Sequence, residues 1–350
     1  MKILHLLSSN KFSGAENVAC QIINMFKGEI DMLYCSPEGP IAESLIDKSI
    51  KYRPIKSLSV AEVKRSINEY KPDIIHAHDF KASVLAVLCT KQIPIISHLH
   101  GKKAAMSKLS LKSLVYKVFL KRIKKVIVVS KSILNEFYFK NDMEDKTTVL
   151  YNVVNAGMLK KIELIEYKFD CVYLGRFVYE KNPERLIEII SMVVKRLPDA
   201  KIVLIGDGVL LDKAKQLSES LNLNNNITFT GFIANPYEIL ASSKIMIMSS
   251  RTEGTPMCLL ESMALGVPIV STPVDGIKEL IENEVDGFYY EKDEDIVNAI
   301  CRLIVDKNLR GIISDKIYTK AISINNIENY KSVILSVYES SLNAYSLKTR

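Results

Sequence analysis

A chain of 350 residues is too long for one comfortable core and suits two domains of about 150–200 residues each. Its 48% apolar and 25% charged residues are the balance of a globular protein, and no run of about 18 apolar residues is present to span a membrane. The net charge of +7 hides an asymmetry: residues 1–165 hold 26 Lys and Arg against 15 Asp and Glu, and the remainder 21 against 25. The first apolar run, Ile3 to Leu7, is broken by His5 and ends at Ser8-Ser9-Asn10, too short for the core of a signal peptide. Cys20, Cys35, Cys89, Cys171, Cys258 and Cys301 lie far apart with no C-x-x-C pair. That pattern points to free thiols in a reducing, cytoplasmic compartment.

In chain order, short apolar strands alternate with helical stretches, the pattern of parallel sheets built from βαβ units. Strands are expected at Lys2–Leu7, Asp31–Cys35, Ile74–Ala77, Ile93–Ser97 and Val126–Val129, with helices at Ala15–Met25, Ala61–Tyr70 and Ser83–Cys89 between them. Periodicity breaks from Asn152 to Lys168. A second series follows, with strands at Asp170–Leu174, Lys201–Ile205, Ile227–Thr230, Lys244–Met248 and Pro268–Ser271, and a helix at Pro183–Arg196. From Asp293 onward the chain reads as successive helices. The expectation is two doubly wound α/β domains facing across a cleft, with ligands at the C-terminal ends of the strands.

The basic surplus is densest between Lys102 and Lys125, where nine cations meet no acid. Leu111, Leu114, Val115 and Val118 recur there with helical spacing, while Lys117, Lys121 and Lys124 are expected on another face. Such a helix suits an anionic membrane surface, with the alternative of a core-facing helix carrying solvated lysines. Few aromatics interleave with the lysines, which argues against nucleic acid.

The strongest local signal is the segment Ser250 to Glu261. A strand enters a loop containing Glu253 and Gly254, and Pro256 opens a helix whose first amides make an anion site. Glu253 and Glu261 are separated by roughly 10–12 Å along such an element, too far for a carboxylate dyad but suited to opposite ends of an elongated ligand. After the first strand of the second half, Arg176 and Lys181 flank a strand-to-helix loop where a diphosphate would be received. Gly206-Asp207-Gly208 is a further tight turn. In the first half, Ser13-Gly14-Ala15-Glu16 follows strand one; it is not G-x-G-x-x-G, and no G-x-x-x-x-G-K-[ST] occurs. His76, His78, His98 and His100 lie at or just beyond strand ends and face the same region of the sheet, where one is expected to meet a ligand hydroxyl and the others to satisfy strand-end hydrogen bonds. With only Asp79 nearby and no H-E-x-x-H, no metal is expected. Asp293-Glu294-Asp295 has D-x-D form but opens a helix, where acids oppose the dipole.

Taken in order, Gly175-Arg176 with Lys181-Asn182, Gly206-Asp207-Gly208, Thr230-Gly231-Phe232, Glu253 with Glu261, Gly266-Val267-Pro268 and Gly276-Ile277-Lys278-Glu279 resemble the signature of retaining glycosyltransferase family 4. Gly14-Ala15-Glu16, His76-Ala77-His78, His100-Gly101, Val129-Ser130 and Tyr151-Asn152 agree with it in the first half. The resemblance runs over residues 1–290 and implies the GT-B fold. It divides the chain into an acceptor-binding domain at 1–160, a nucleotide-sugar-binding domain at 161–325, and a C-terminal helix at 326–350 packing back on the first.

The resemblance further implies roles. Arg176 and Lys181 would neutralise the donor diphosphate, and Glu253 would contact the transferred sugar. Amides of Gly254, Thr255, Pro256 and Met257 (Pro256 offering only its carbonyl) would line the sugar or phosphate, and Glu261 would bind the ribose. Gly14 would admit the phosphate, His100 would approach the reacting carbon, and Ile233 would line the base pocket. Thr255, Ser13, Asn155 and Asp275 depart from frequent family residues, which bears on donor identity. The implied reaction moves a hexose or N-acetylhexosamine from a nucleotide-diphosphate sugar to a lipid-linked saccharide of a bacterial surface polysaccharide, with retention and without metal or other cofactor. The enzyme would sit at the inner face of the plasma membrane. A GT-B-like sugar-nucleotide epimerase and a non-catalytic partner of a membrane glycan assembly are the alternatives.

Overall fold

The computed structural model describes residues 1–101, 105–154 and 166–346. The chain forms two compact units: Met1–Asn152 with Ile327–Arg350, and Val153–Asn326. The expected boundary at 160, and Asn155, lie outside the described residues.

The first unit is built on seven parallel strands: β1 Lys2–Leu6, β2 Asp31–Pro37, β3 Tyr52–Ile55, β4 Ile74–Ala77, β5 Ile95–Leu99, β6 Ile123–Val128 and β7 Thr147–Val149. Their order is β3-β2-β1-β4-β5-β6-β7. Helices cover both faces, so β1 and β4 are apolar almost throughout rather than alternating. The strand order reverses between β1 and β4, the point at which doubly wound sheets bind ligands beyond the strands' C-terminal ends. Asp79 fixes this rim: one carboxylate oxygen accepts from the Ala82 amide at 2.8 Å and caps the helix Phe80–Cys89, while the other accepts from the Ser8 amide at 3.2 Å. The last helix, Ile327–Ser346, belongs to this unit; Lys331 pairs with Glu29 at 2.6 Å and the Tyr338 hydroxyl meets His76 at 2.9 Å.

The second unit carries six parallel strands: β8 Phe169–Leu174, β9 Ile202–Ile205, β10 Ile227–Gly231, β11 Ser243–Met248, β12 Ile269–Ser271 and β13 Phe288–Tyr289, in the order β10-β9-β8-β11-β12-β13. The helix Pro183–Arg196 starts with proline at a position that needs no amide and buries Leu186, Ile187, Ile190 and Val193 along one face. It packs directly against the helix Asp293–Val305, whose first-turn acids meet the dipole as expected; Asp293 also takes Arg185 at 2.7 Å and Glu294 takes Arg196. Here the order reverses between β8 and β11. The turn after β9 is set by Gly206, at φ +140, where any Cβ would strike the Gly175 carbonyl after β8.

The basic segment departs from expectation. The helix spans Leu111–Leu120 only, and Lys124 and Lys125 lie on β6, so Lys117, Lys121 and Lys124 share no helical face. The face turned inward is Ser113, Tyr116 and Leu120. Ser113 can be buried there because its hydroxyl donates to the Lys108 carbonyl at 2.9 Å. Leu111, Leu114 and Val118 point out to solvent, 78%, 44% and 65% exposed. Lys117 pairs with Asp142 at 3.0 Å. Lys102 and Lys103 lie outside the described residues.

Candidate active site

At the reversal of the second sheet, the loops after β8 and β11 meet. The β8 loop continues through a short turn, Tyr179–Lys181, into Asn182, whose left-handed backbone (φ 53) redirects the chain into the helix Pro183–Arg196. The β11 loop runs from Ser249 to Pro256 and delivers the helix Met257–Ala264; Pro256 stands just before the first helical residue, in extended backbone. Ser249 ties the loops together by donating to the carbonyls of Lys181 at 3.1 Å and Asn182 at 3.0 Å. Arg251 adds a bond to the Asn182 side chain at 2.7 Å and stacks over Tyr179 with its guanidinium 4.6 Å from the ring centre.

Lys181 and Glu253 are brought together: Nζ lies 2.5 Å from Oε1, and the Ser250 hydroxyl donates to the same oxygen at 2.6 Å. Both side chains are largely buried. Burial by itself would lower the lysine pKa; the Glu253 charge, Cys258 and the hydrogen bond outweigh it and raise the pKa above the ordinary value. Cys258, in the first turn of the helix, has its thiol pushed up to about 12, first by burial, so it stays protonated and is no nucleophile. Arg176 sits at the exit of β8 with its side chain exposed, its carbonyl held by the Tyr173 hydroxyl at 2.9 Å.

Gly254, Thr255, Pro256 and Met257 are buried in one run, and the loop is pinned from behind. Gly276 approaches so closely that a Cβ there would collide with the Gly254 carbonyl. Glu261, on the same helix, is 7% exposed and accepts from the Tyr237 hydroxyl at 3.3 Å. Ile233, half-buried, follows the edge strand β10 four residues before Tyr237. Ser250 and Tyr237 are contributors whose roles sequence reasoning missed. A lone serine carries no type-specific signal, and Tyr237 reaches Glu261 only through the fold.

In the first unit, Gly14 opens the helix Gly14–Met25 beyond β1, where the Ser13 hydroxyl is bonded to the Glu16 carboxylate. The four histidines converge on one face of the sheet and are joined by the chain's fifth, His5 of β1. His5 Nδ1 lies 2.8 Å from His78 Nε2, His78 Nδ1 3.0 Å from His100 Nε2, and His76 Nε2 3.2 Å from His98 Nδ1. Burial lowers His5 and His100 to about 3 and holds His76, His78 and His98 well below the ordinary value, so all are neutral. Two groups, His5-His76-His78 and His78-His98-His100, bring ligand-capable nitrogens within 4.8 Å of one another, but most of those nitrogens are engaged in ring-to-ring bonds.

Residues 13–157 match the family described as Glycosyltransferase Family 4 and residues 158–320 that described as Glycosyl transferases group 1. An Escherichia coli UDP-Gal:alpha-D-GlcNAc-diphosphoundecaprenol alpha-1,3-galactosyltransferase is 26% identical over 375 residues, covering 97% of this chain and 96% of that one. An uncharacterised glycosyltransferase of Methanocaldococcus jannaschii is 30% identical over 254 residues, 69% of this chain and 68% of its own length. Anabaena HepE, solved in complex with UDP and glucose, superposes with a TM-score of 0.85 at 21% identity, over 97% of this chain and 100% of that one. With two parallel Rossmann-like sheets of the GT-B fold, the chain belongs to glycosyltransferase family 4.

Proposed function

We propose that the chain is a retaining, metal-independent transferase that moves a hexose or N-acetylhexosamine from a nucleotide-diphosphate sugar to a lipid-linked saccharide in surface polysaccharide synthesis. The observation that carries this reading is the Lys181–Glu253 pair at the strand-order reversal of the second unit, above a helix N-terminus. The E. coli relative's name gives UDP-galactose and a diphosphoundecaprenol-linked acceptor, and HepE was solved with UDP, which favours a uridine donor.

In this reading the donor displaces the lysine from the glutamate. Lys181 and Arg176, with the amides of Gly254, Thr255 and Met257, take up the diphosphate charge in place of a metal ion. Glu253 is released to hold sugar hydroxyls, Glu261 the ribose and Ile233 the base, while Gly14 and His100 serve the reacting end. The anomeric carbon's bond to the phosphate oxygen breaks and its bond to the acceptor oxygen forms on the same face, the acceptor proton passing to the leaving phosphate. The cluster needs no protein nucleophile, and a protonated Cys258 offers none.

Among the described residues no helix is long and apolar enough to cross a membrane. The first unit meets the lipid-linked acceptor through the exposed stripe Leu111, Leu114 and Val118, flanked by Lys108, Lys112 and Lys121, as a peripheral contact with the inner face of the plasma membrane. A panel of nucleotide sugars, scored by thermal shift and by transfer to a diphospholipid-linked sugar, tests the proposal. Stabilisation and transfer with one UDP-sugar support it, and transfer only in the presence of a divalent ion contradicts its metal-free form.

A further inference from the structure

All five histidines of the chain stack on one face of the first sheet, and three of them form a single line of hydrogen bonds, His5 to His78 to His100. The register explains the line. His5 of β1 pairs with His76 of β4, and β4 pairs with β5 so that His78 falls opposite His98. Alternate residues face one way, so His5, His78 and His100 share a side with His76 and His98. The His78 and His100 rings lie 8° from parallel with centres 5.2 Å apart. A second line runs alongside: the Tyr338 hydroxyl to His76, 2.9 Å, and His76 to His98, 3.2 Å.

Both ends of the first line are buried nitrogens without a partner among the described residues, His5 Nε2 and His100 Nδ1. The proton count then has only two solutions. A neutral imidazole carries one N–H and one bare nitrogen. Each ring-to-ring bond holds one proton, so the remaining proton of the three rings must sit at one end. With it on His5 Nε2, every bond points from His100 toward His5 and His100 Nδ1 is a bare acceptor. With it on His100 Nδ1, every bond is reversed and that nitrogen is a donor.

We infer that His5 and His78 are positioning residues for His100, a relay whose concerted tautomer shift switches His100 Nδ1 between donor and acceptor while every ring stays uncharged. The inference rests on the proposed placement of His100 beside the transferred sugar. A sugar hydroxyl both gives and takes hydrogen bonds, so an adaptable neutral ring can match it in either sense. A charged imidazolium would instead oppose the positive charge that develops at the anomeric carbon.

Nitrogen-15-labelled histidine in the intact chain provides the test, because long-range proton–nitrogen spectra separate protonated from bare ring nitrogens and only five rings contribute. In the wild-type chain at pH 7, His78 and His100 are expected to average between both tautomers, with no charged ring. His5→Phe keeps a ring in place but removes the partner of His78 Nε2. The line then ends at His78 Nε2 instead of His5 Nε2, so the tautomer balance read at His100 should shift away from the wild-type mixture. His5→Asn, whose amide presents either a donor or an acceptor, should restore the mixture. An unchanged His100 in His5→Phe overturns the relay. If that variant does not fold, a single fixed His100 tautomer in the wild-type spectrum overturns it equally. These spectra need no substrate, so they fail or succeed apart from the transferase reading, which the donor panel decides.

Discussion

Lys181 Nζ and Glu253 Oε1 meet at 2.5 Å although 72 residues separate them in the chain. The loops after β8 and β11 exist side by side because those strands are neighbours at the reversal of the sheet. Removing one partner strands the other charge in a largely buried place. Glu253→Gln and Lys181→Met should therefore each destabilise the second unit by about 3 kcal/mol. Chemical denaturation of the two variants checks this. Equal and negligible losses would mean that the pair is solvated.

Acid should unfold the first unit. His5 and His100, lowered by burial to about 3, are neutral when folded but accept protons near 6.5 when unfolded. Their contribution to stability is thus complete above 6.5 and is lost as pH falls toward 3. Each of these two rings costs about 1.4 kcal/mol per pH unit in that window, and His76, His78 and His98, also held low by burial, act in the same direction. Circular dichroism followed from pH 7 to 4 should show a cooperative loss with an apparent proton uptake well above one. A first unit that stays folded at pH 4 would contradict the buried, neutral ladder.

The apolar stripe, rather than the lysines of a shared face, should dominate membrane contact. Leu111→Ser, Leu114→Ser and Val118→Ser together should weaken binding to vesicles containing an anionic phospholipid by at least about 100-fold, from the lost burial of three side chains. Sedimentation with such vesicles measures this, and donor-induced thermal shift should be unchanged. Unaltered sedimentation would remove the membrane role of this helix.

Gly276→Ala should act at a distance in sequence. Its methyl group must push back the Gly254 carbonyl, which carries the loop holding Glu253. Overpacking of this kind costs about 1–3 kcal/mol, and the displaced loop should lower donor affinity as well as stability. Gly311→Ala, where nothing lies within 4 Å of the new atom, is the control and should leave donor affinity as it is.

Most of the parallel framework was legible because strands covered on both faces are mainly apolar runs: β1, β4, β9 and β11 stand within a residue or so of where the sequence puts them. The short edge strands β3, β7 and β13 were not. β3 contains Pro54, and β7 is a threonine-rich triplet whose pairing only the neighbouring strand supplies. The Leu111–Leu120 helix misled for a physical reason. Apolar periodicity marks a buried face only when that face has something to pack on, and here the inward positions include Ser113, satisfied by local carbonyls. In the site, Lys181 and Glu253 were suggested by loop position and charge. The Ser250 and Ser249 hydroxyls that hold them were invisible, since a serine's role depends on which carbonyl or carboxylate the fold brings within reach.

In the proposed reaction Lys181 and Glu253 part to receive a nucleotide-diphosphate sugar. Isothermal titration of the preferred donor into the wild-type chain, Lys181→Ala and Glu253→Ala, paired with transfer rates for each, tests this. Lys181→Ala should weaken the affinity for both the donor and its free nucleoside diphosphate. Glu253→Ala should leave the nucleoside diphosphate bound as before, or tighter, while transfer falls by about 100-fold or more. Transfer by both variants at the parental rate would contradict the proposed reaction.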